Sequence, residues 1–264
     1  MNKTGEEPIL SLPERHNRIL ALLQQFGSIS VAQLAERFKV SEVTIRKDLS
    51  YLEQQKKLYR THGSAILISP YISDRHVNEK EKRNVAEKRA IGAFAASLIA
   101  QDDSIIIASG TTVTFLAREI NPAGHLTAIT ASVPVTQILS QCPDVDVIQL
   151  GGITRSSSVS VVGPFAEQML RSFNCSKLFL GVDGIDTEFG LTTTNMLEAS
   201  LNGAMIDAAQ KVIVLADSSK FGRRGFSKIC DLESVDRIIT DSGVQSVYLD
   251  RLRERGIEVT VVDV

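Results

Sequence analysis

The sequence predicts two architectures in one chain: an N-terminal winged helix-turn-helix, then a mainly parallel α/β domain. Three observations carry that reading. Apolar residues recur with helical spacing up to about residue 55 and then give way to a hairpin pattern. From residue 105 onward, short β-branched apolar runs alternate with helical stretches. Charge is also uneven: residues 14–68 hold nine Lys/Arg against five Asp/Glu, net +4, whereas residues 89–264 hold 14 against 20, net -6. A small basic head on a larger acidic body points to a polyanion-binding module attached to something with another job.

In the head, Ser11 with Glu14 forms a capping-box pattern, and Ile19, Leu22, Leu23 and Phe26 follow on one helical face, with Gly27 as the stop. Ser30 with Gln33 opens a second helix whose Leu34, Ala35 and Phe38 face inward. Ser41 caps a third, with Ile45, Leu49 and Leu52 on one stripe. Leu58–Thr61, a turn at His62, Gly63 and Ser64, and Ala65–Ile68 read as a β-hairpin. The head is predicted over 1–69, a charge-dense linker over 70–86 running into a helix through Ile99, and the body over 87–264. The charge run Glu79–Arg83 reads as a solvated face.

In the body the predicted strands are Ile105–Ala108, Leu126–Thr130, Val145–Leu150, Leu178–Val182, Val212–Ala216, Arg237–Thr240 and Val259–Val262. Helices are predicted at Val113–Ile120, Pro164–Phe173, Met196–Ala209 and Ser246–Arg255. This alternation makes a parallel sheet covered on both faces.

Composition excludes several classes. With 43% hydrophobic and 23% charged residues the chain is not mostly disordered. No apolar run approaches the ~18–20 residues of a membrane helix, and MNKTGEEPIL lacks the regions of a secretory signal, so a cytoplasmic protein without a membrane partner is expected. Cys142, Cys175 and Cys230 are far apart and support neither a disulfide framework nor a zinc ribbon. His16, His62, His76 and His125 are scattered, and no glycine loop of the dinucleotide or P-loop type occurs, so neither a metal nor a cofactor is expected.

The short turn before the third helix sets the second and third helices at a steep angle, as DNA reading requires. With its apolar stripe buried, that helix presents Glu42, Val43, Arg46, Lys47 and Ser50 on or near its open face. The Ser41 and Thr44 hydroxyls meet phosphate oxygens, and Ser30 at the second helix start is placed with them. Arg46 and Lys47 reach guanine edges or the backbone, and Lys57, Arg60 and His62 of the hairpin grip phosphates or the minor groove. Double-stranded DNA is the expected partner. A homo-oligomer is expected too, because one small module makes few base contacts and paired heads read repeated half-sites.

Ligands of open parallel sheets bind beyond the carboxyl ends of the strands. Those ends carry Ser109, Gly110, Thr111 and Thr112; Ser132; Gly151 and Gly152 with Arg155; Asp183 and Gly184; and Lys220. Ser109–Thr112 opens a helix and makes a phosphate cradle, Lys220 supplies positive charge, and Asp183 accepts hydrogen bonds from sugar hydroxyls. Together with Glu198 these residues predict a site for a phosphorylated small molecule. Asp183, Asp186 and Glu198 also read as an acid/base set for aldose–ketose isomerisation, which leaves a sugar-phosphate isomerase-like enzyme with a DNA-binding appendage as the alternative.

The segment SISVAQLAERFKVSEVTIRKDLSYLEQQKKLYRTHGSA, with its core Val40–Leu49 followed by Arg60–Ala65, resembles the N-terminal signature of DeoR-type bacterial transcriptional regulators. Ser64 stands where that pattern usually has a second glycine. The likeness extends through EKRAIG (87–92), SGTT (109–112), GGITR (151–155), GVDGID (181–186), GLTTTNMLEA (190–199) and ADSSKFG (216–222), blocks similar to the family's sensor domain. Ala108 replaces an aspartate common in the family just before SGTT. The resemblance implies a body similar in fold to ribose-5-phosphate isomerase and CoA transferases. It also implies a repressor of a carbohydrate-catabolism operon, relieved by a phosphorylated sugar, amino sugar or polyol. Related isomerases carry a lysine soon after the aspartate pair; here none occurs between Asp186 and Lys211, so no enzymatic activity is expected.

Overall fold

A computed structural model describes residues 11–26, 28–55, 57–61, 64–67 and 76–264. The chain divides into two compact units, 1–70 and 71–264. In the head, α1 (Leu12–Phe26), α2 (Val31–Phe38) and α3 (Glu42–Gln54) surround a core of Ile19, Leu23, Leu34, Ile45, Leu49 and Leu52, all nearly inaccessible to water. The local sequence explains the breaks. Ser30 and Gln33 close a full capping box on α2, and Lys39 ends that helix in the left-handed region. The Ser41 hydroxyl then accepts from the Thr44 N–H at 3.2 Å and opens α3.

The predicted hairpin is β2 (Leu58–Thr61) and β3 (Ser64–Leu67), joined by an unanticipated β1 (Ser28–Ser30) in the antiparallel order β1-β3-β2. Gly27 and the turn residues His62 and Gly63 lie outside the described residues, as does the side chain of Phe26.

All seven predicted body strands form one parallel sheet. They are β4 (Ser104–Ile107), β5 (Leu126–Thr130), β6 (Val145–Gln149), β9 (Lys177–Gly181), β12 (Val212–Leu215), β14 (Arg237–Asp241) and β15 (Glu258–Val262), in the order β15-β14-β12-β9-β4-β5-β6. Side chains alternate between faces. Ile105 and Ile107 pack with α5 (Val85–Ala96), α6 (Thr111–Glu119) and α7 (Val133–Leu139), while Ile106 and Ala108 pack on the side of α8 (Pro164–Leu170), α9 (Met196–Asp207) and α10 (Ser246–Glu254). The α5–α6 contact is so close that a Cβ on Gly92 would stand 2.7 Å from the Leu116 nitrogen. Among the described residues no helix is long and apolar enough to cross a membrane.

Smaller elements complete the body: a ribbon of β7 (Ile153–Arg155) and β8 (Ser160–Val162), and an antiparallel sheet of β10 (Gly184–Asp186), β11 (Gly190–Thr193) and β13 (Ser227–Cys230). The segment read as a linker is part of the body from His76 onward. It forms α4 (Val77–Glu81), whose Val77 is buried and whose Lys80 and Glu81 bond to body residues.

Candidate functional site

Chain order places the second site. β5 and β6 continue from β4 to one side, whereas β9, β12, β14 and β15 build out on the other, so the strand order reverses between β4 and β9. Connections leave two such strands in opposite directions, and a crevice opens beyond their carboxyl ends. A cleft lies there. It is lined by Ser109–Thr112 after β4, by Gly181, Val182 and Asp183 at the end of β9, and by Thr193, Glu198, Lys220, Val77, Lys80, Ser157 and Ser158. Gly110 is the N-cap of α6 at φ +126°, a conformation L side chains rarely adopt, and it leaves the first N–H groups of α6 facing the cleft.

The charged groups pair across this space. Lys80 Nζ lies 2.9 Å and Lys220 Nζ 3.9 Å from Asp183 Oδ1, and the Thr193 hydroxyl donates to Asp183 Oδ2 at 3.1 Å. Arg155 Nη1 contacts Glu198 Oε2 at 2.6 Å, and the Ser109 hydroxyl donates to Glu198 Oε1 at 2.9 Å. Burial alone would raise the Asp183 pKa, but Lys80 and Lys220 outweigh it and hold the carboxyl at about 2. Burial pushes the Lys220 ammonium down, against the pull of Asp183 and Asp217. Behind the cleft, burial lowers Lys88 to about 8 while its Nζ donates to the carbonyls of Lys80 and Arg83 at 2.5 and 2.6 Å. The result is a pocket with ion-paired lysines and helix-end N–H groups beside carboxylates and hydroxyls, suited to a molecule carrying an anionic group and hydroxyls.

Ser109, Gly110, Thr111, Thr112, Asp183, Glu198 and Lys220 are thus brought together, with Arg155 one contact behind Glu198. Ser132, Gly151, Gly152 and Gly184 are not. Ser132 is the buried cap of α7, Gly151 contacts the Met169 sulfur, and Gly152 and Gly184 sit where a Cβ would meet the backbone oxygens of Val162 and Arg223 at 2.6 and 2.4 Å. Sequence reasoning passed over Lys80, Val77 and Thr193. Lys80 was hidden in a charge run that reads as solvated, whereas Thr193 sits inside the GLTTTN block. Asp186 belongs to no acid/base set: it is 1% exposed, bonded to Arg224 at 2.8 and 3.0 Å, and accepts from the Glu188 and Phe189 N–H groups.

On the head, Val43, Arg46, Lys47, Ser50, Tyr51 and Gln54 make one open face of α3. Arg46 reaches back to Glu42 at 3.0 Å, and the Ser41 and Thr44 hydroxyls bond to each other at 2.9 Å. Arg60 ties the hairpin to α3: it pairs with Glu53 at 3.0 Å and donates to the Ser50 hydroxyl and to the Arg46 carbonyl at 3.4 Å. Ser30 is held in its capping box and His62 lies outside the described residues. Unforeseen is the clamp beneath this face. Arg15 holds Asp48 through Nε at 2.5 Å and Nη2 at 3.0 Å, and His16 contacts the same carboxylate at 3.1 Å while stacking on Tyr51. The available signal was an acid at an inward position between Ile45 and Leu49.

A head whose recognition helix turns an open face with Arg46 and Lys47 outward and is braced from below, carried in one chain with a pocketed α/β body, defines a DNA-binding transcriptional regulator. The chain belongs to the DeoR family: residues 15–71 match the DeoR-like helix-turn-helix domain and residues 83–242 the DeoR C terminal sensor domain. It is 39% identical over 94% of its length to the uncharacterized HTH-type transcriptional regulator YulB of Bacillus subtilis, covering 96% of that protein. It is 37% identical over 98% to a putative aga operon transcriptional repressor of Escherichia coli O157:H7 (97% covered), and 34% over 95% to the HTH-type transcriptional regulator GlpR of Haloferax volcanii (97% covered). Among solved structures, the ribose 5-phosphate isomerase of Plasmodium falciparum aligns over 52% of each chain with a TM-score of 0.36 and 13% identity.

Proposed function

We propose that the protein represses a carbohydrate-catabolism operon and that a phosphorylated sugar, amino sugar or polyol, bound in the cleft, relieves repression. The observation that carries this reading is the cleft at the β4/β9 reversal. It sets Lys80, Lys220 and the start of α6 around an anion position, with Asp183, Glu198 and hydroxyls within reach of a polyol chain. The phosphate goes to Gly110–Thr112 and Lys220, because a dianion gains most where helix-end N–H groups and an ammonium converge. Sugar hydroxyls go to Asp183 and Glu198. On the head, α3 enters the major groove, with Arg46 and Lys47 toward base edges or phosphates and Ser41 and Thr44 toward the backbone. The putative aga operon transcriptional repressor among the relatives supports the direction of control.

Fluorescence anisotropy with DNA from upstream of its own gene tests the reading. The titrants are glucose 6-phosphate, fructose 6-phosphate, N-acetylglucosamine 6-phosphate and glycerol 3-phosphate. Tight, steeply salt-dependent binding released by one of them is expected. DNA binding that no phosphate ester relieves removes the sensor assignment; turnover of an ester instead of release restores the isomerase alternative.

A further inference from the structure

We propose that Lys80 is the residue through which occupancy of the cleft is passed to the DNA-binding head, by exchanging its partner from Asp183 to the anionic group of the ligand. The proposal rests on the cleft being the effector site. It starts from where α4 is attached. Val77 and Lys80 line the cleft. The Val77 N–H donates to the Ser157 carbonyl at 2.7 Å, and Lys80 Nζ bonds Asp183 Oδ1 at 2.9 Å. Farther along, Glu81 pairs with Arg118 at 2.6 Å and Asn84 donates to Asp217 at 2.8 Å. Two of these attachments reach cleft-lining residues, and the Lys80–Asp183 contact is the ionic one, the kind for which an anionic ligand competes directly.

The competition favours the ligand. A phosphate ester carries about 1.5 to 2 negative charges at neutral pH, and Asp183 carries one, already divided between two ammonium groups. An anion placed by the start of α6 and Lys220 also repels Asp183, which weakens the original bond further. Lys80 sits on a helix of five residues, so a displaced ammonium acts on a small element, held besides by the buried Val77 and by the Lys88 ammonium on the Lys80 carbonyl. Sequence then makes that movement consequential. The head's unit closes at Pro70, and Val77 is seven residues later, so α4 is the first described helix of the body that the chain enters on leaving the head. Lys80 is therefore a ligand-contacting residue whose exchange of partner carries the coupling, beside the Gly110–Thr112 and Lys220 cradle.

Coupling is reciprocal, which supplies the measurement. Dissociation constants for inorganic phosphate and for the four esters named above are measured on the full protein with and without saturating operator DNA, and their ratio is the coupling factor. For the wild type, the releasing ester should give a factor of about ten or more. Lys80→Met should bring it to about twofold or less, with ester affinity in the absence of DNA lowered but still measurable. In hydrogen exchange, the segment containing Val77 should respond to the ester in the wild type and stay silent in Lys80→Met. A wild-type factor in Lys80→Met overturns the proposal. Should Lys80→Met bind no ester, Asp183→Asn decides, because it cuts the same bond from the acid side and leaves the ammonium in place. A factor reduced to about twofold or less supports the proposal, and an undiminished one refutes it. A wild type that binds none of the probes overturns the cleft reading itself, and this proposal with it.

Discussion

Replacing Asp48 by Asn should destabilise the head while leaving the body intact. Asp48 is 3% exposed and sits on the recognition helix, where Arg15 holds it at 2.5 and 3.0 Å and His16 at 3.1 Å. The carboxylate raises the Arg15 pKa, chiefly through the hydrogen bond between them. Asn keeps the shape and one acceptor oxygen but removes the charge, leaving a buried guanidinium beside an amide. Removing one partner of such a pair costs about 3–5 kcal/mol, and the remaining acceptor sets the expectation at the low end, about 3 kcal/mol. For a module of this size that is a shift on the order of 10–20 °C. Scanning calorimetry of the full chain should show the head transition moving by that amount and the body transition standing still. Exchanging both partners, Arg15→Met with Asp48→Leu, should recover most of the loss, since an apolar pair avoids the desolvation cost. A shift corresponding to less than about 1 kcal/mol for Asp48→Asn would show the pair to be solvated and the clamp argument wrong.

Arg46→Ala should weaken operator binding by about 1–3 kcal/mol in a direct titration and leave the calorimetric transitions in place. Gly92→Ala should destabilise the body by about 1–3 kcal/mol in a denaturant titration, since its Cβ meets the backbone of Phe115 and Leu116 at 2.8 and 2.7 Å. Lys220→Ala should raise the ester concentration needed for half-release of DNA about tenfold or more, while affinity for DNA alone is unchanged. Two pH effects have opposite signs. Asp183 is depressed from 3.8 to about 2, so its stabilisation is present above pH 3.8 and fades as pH falls toward 2; Asp183→Asn should flatten acid unfolding in that window. Lys88 is depressed from 10.5 to about 8, so between these values the unfolded chain binds the extra proton and stability rises with pH. Lys88→Met should remove that rise.

The large pattern was legible because it is periodic. β-branched runs marked all seven sheet strands, and Leu126–Thr130 was placed to the residue, since a strand buried on both faces needs a continuous apolar run. What escaped was short or ionic. β1, the β7–β8 ribbon and the β10–β11–β13 sheet have strands of three or four residues each, too short for an apolar alternation to stand out from the Ser, Thr and Gly around it. Strand-end reasoning gathered the cleft lining correctly from Ser109 to Thr112 and at Asp183. It also admitted Gly151, Gly152 and Ser132, because a glycine needed for close packing and one needed for ligand approach look alike in sequence. Lys80 and Asp48 show the converse limit: a charged residue carries no sequence mark of the partner that tertiary structure will bring to it.

The order β1-β3-β2 in the head has a mechanical meaning. β3 is the middle strand and also the last described element before the chain passes toward the body, paired to β1 over three residues and to β2 over four. A pull on β3 therefore meets two hydrogen-bonded ladders at the same time, where an edge strand would be held by one. Both ladders, and through β2 the ties of Arg60 to Glu53 and α3, must give way before β3 can leave the head.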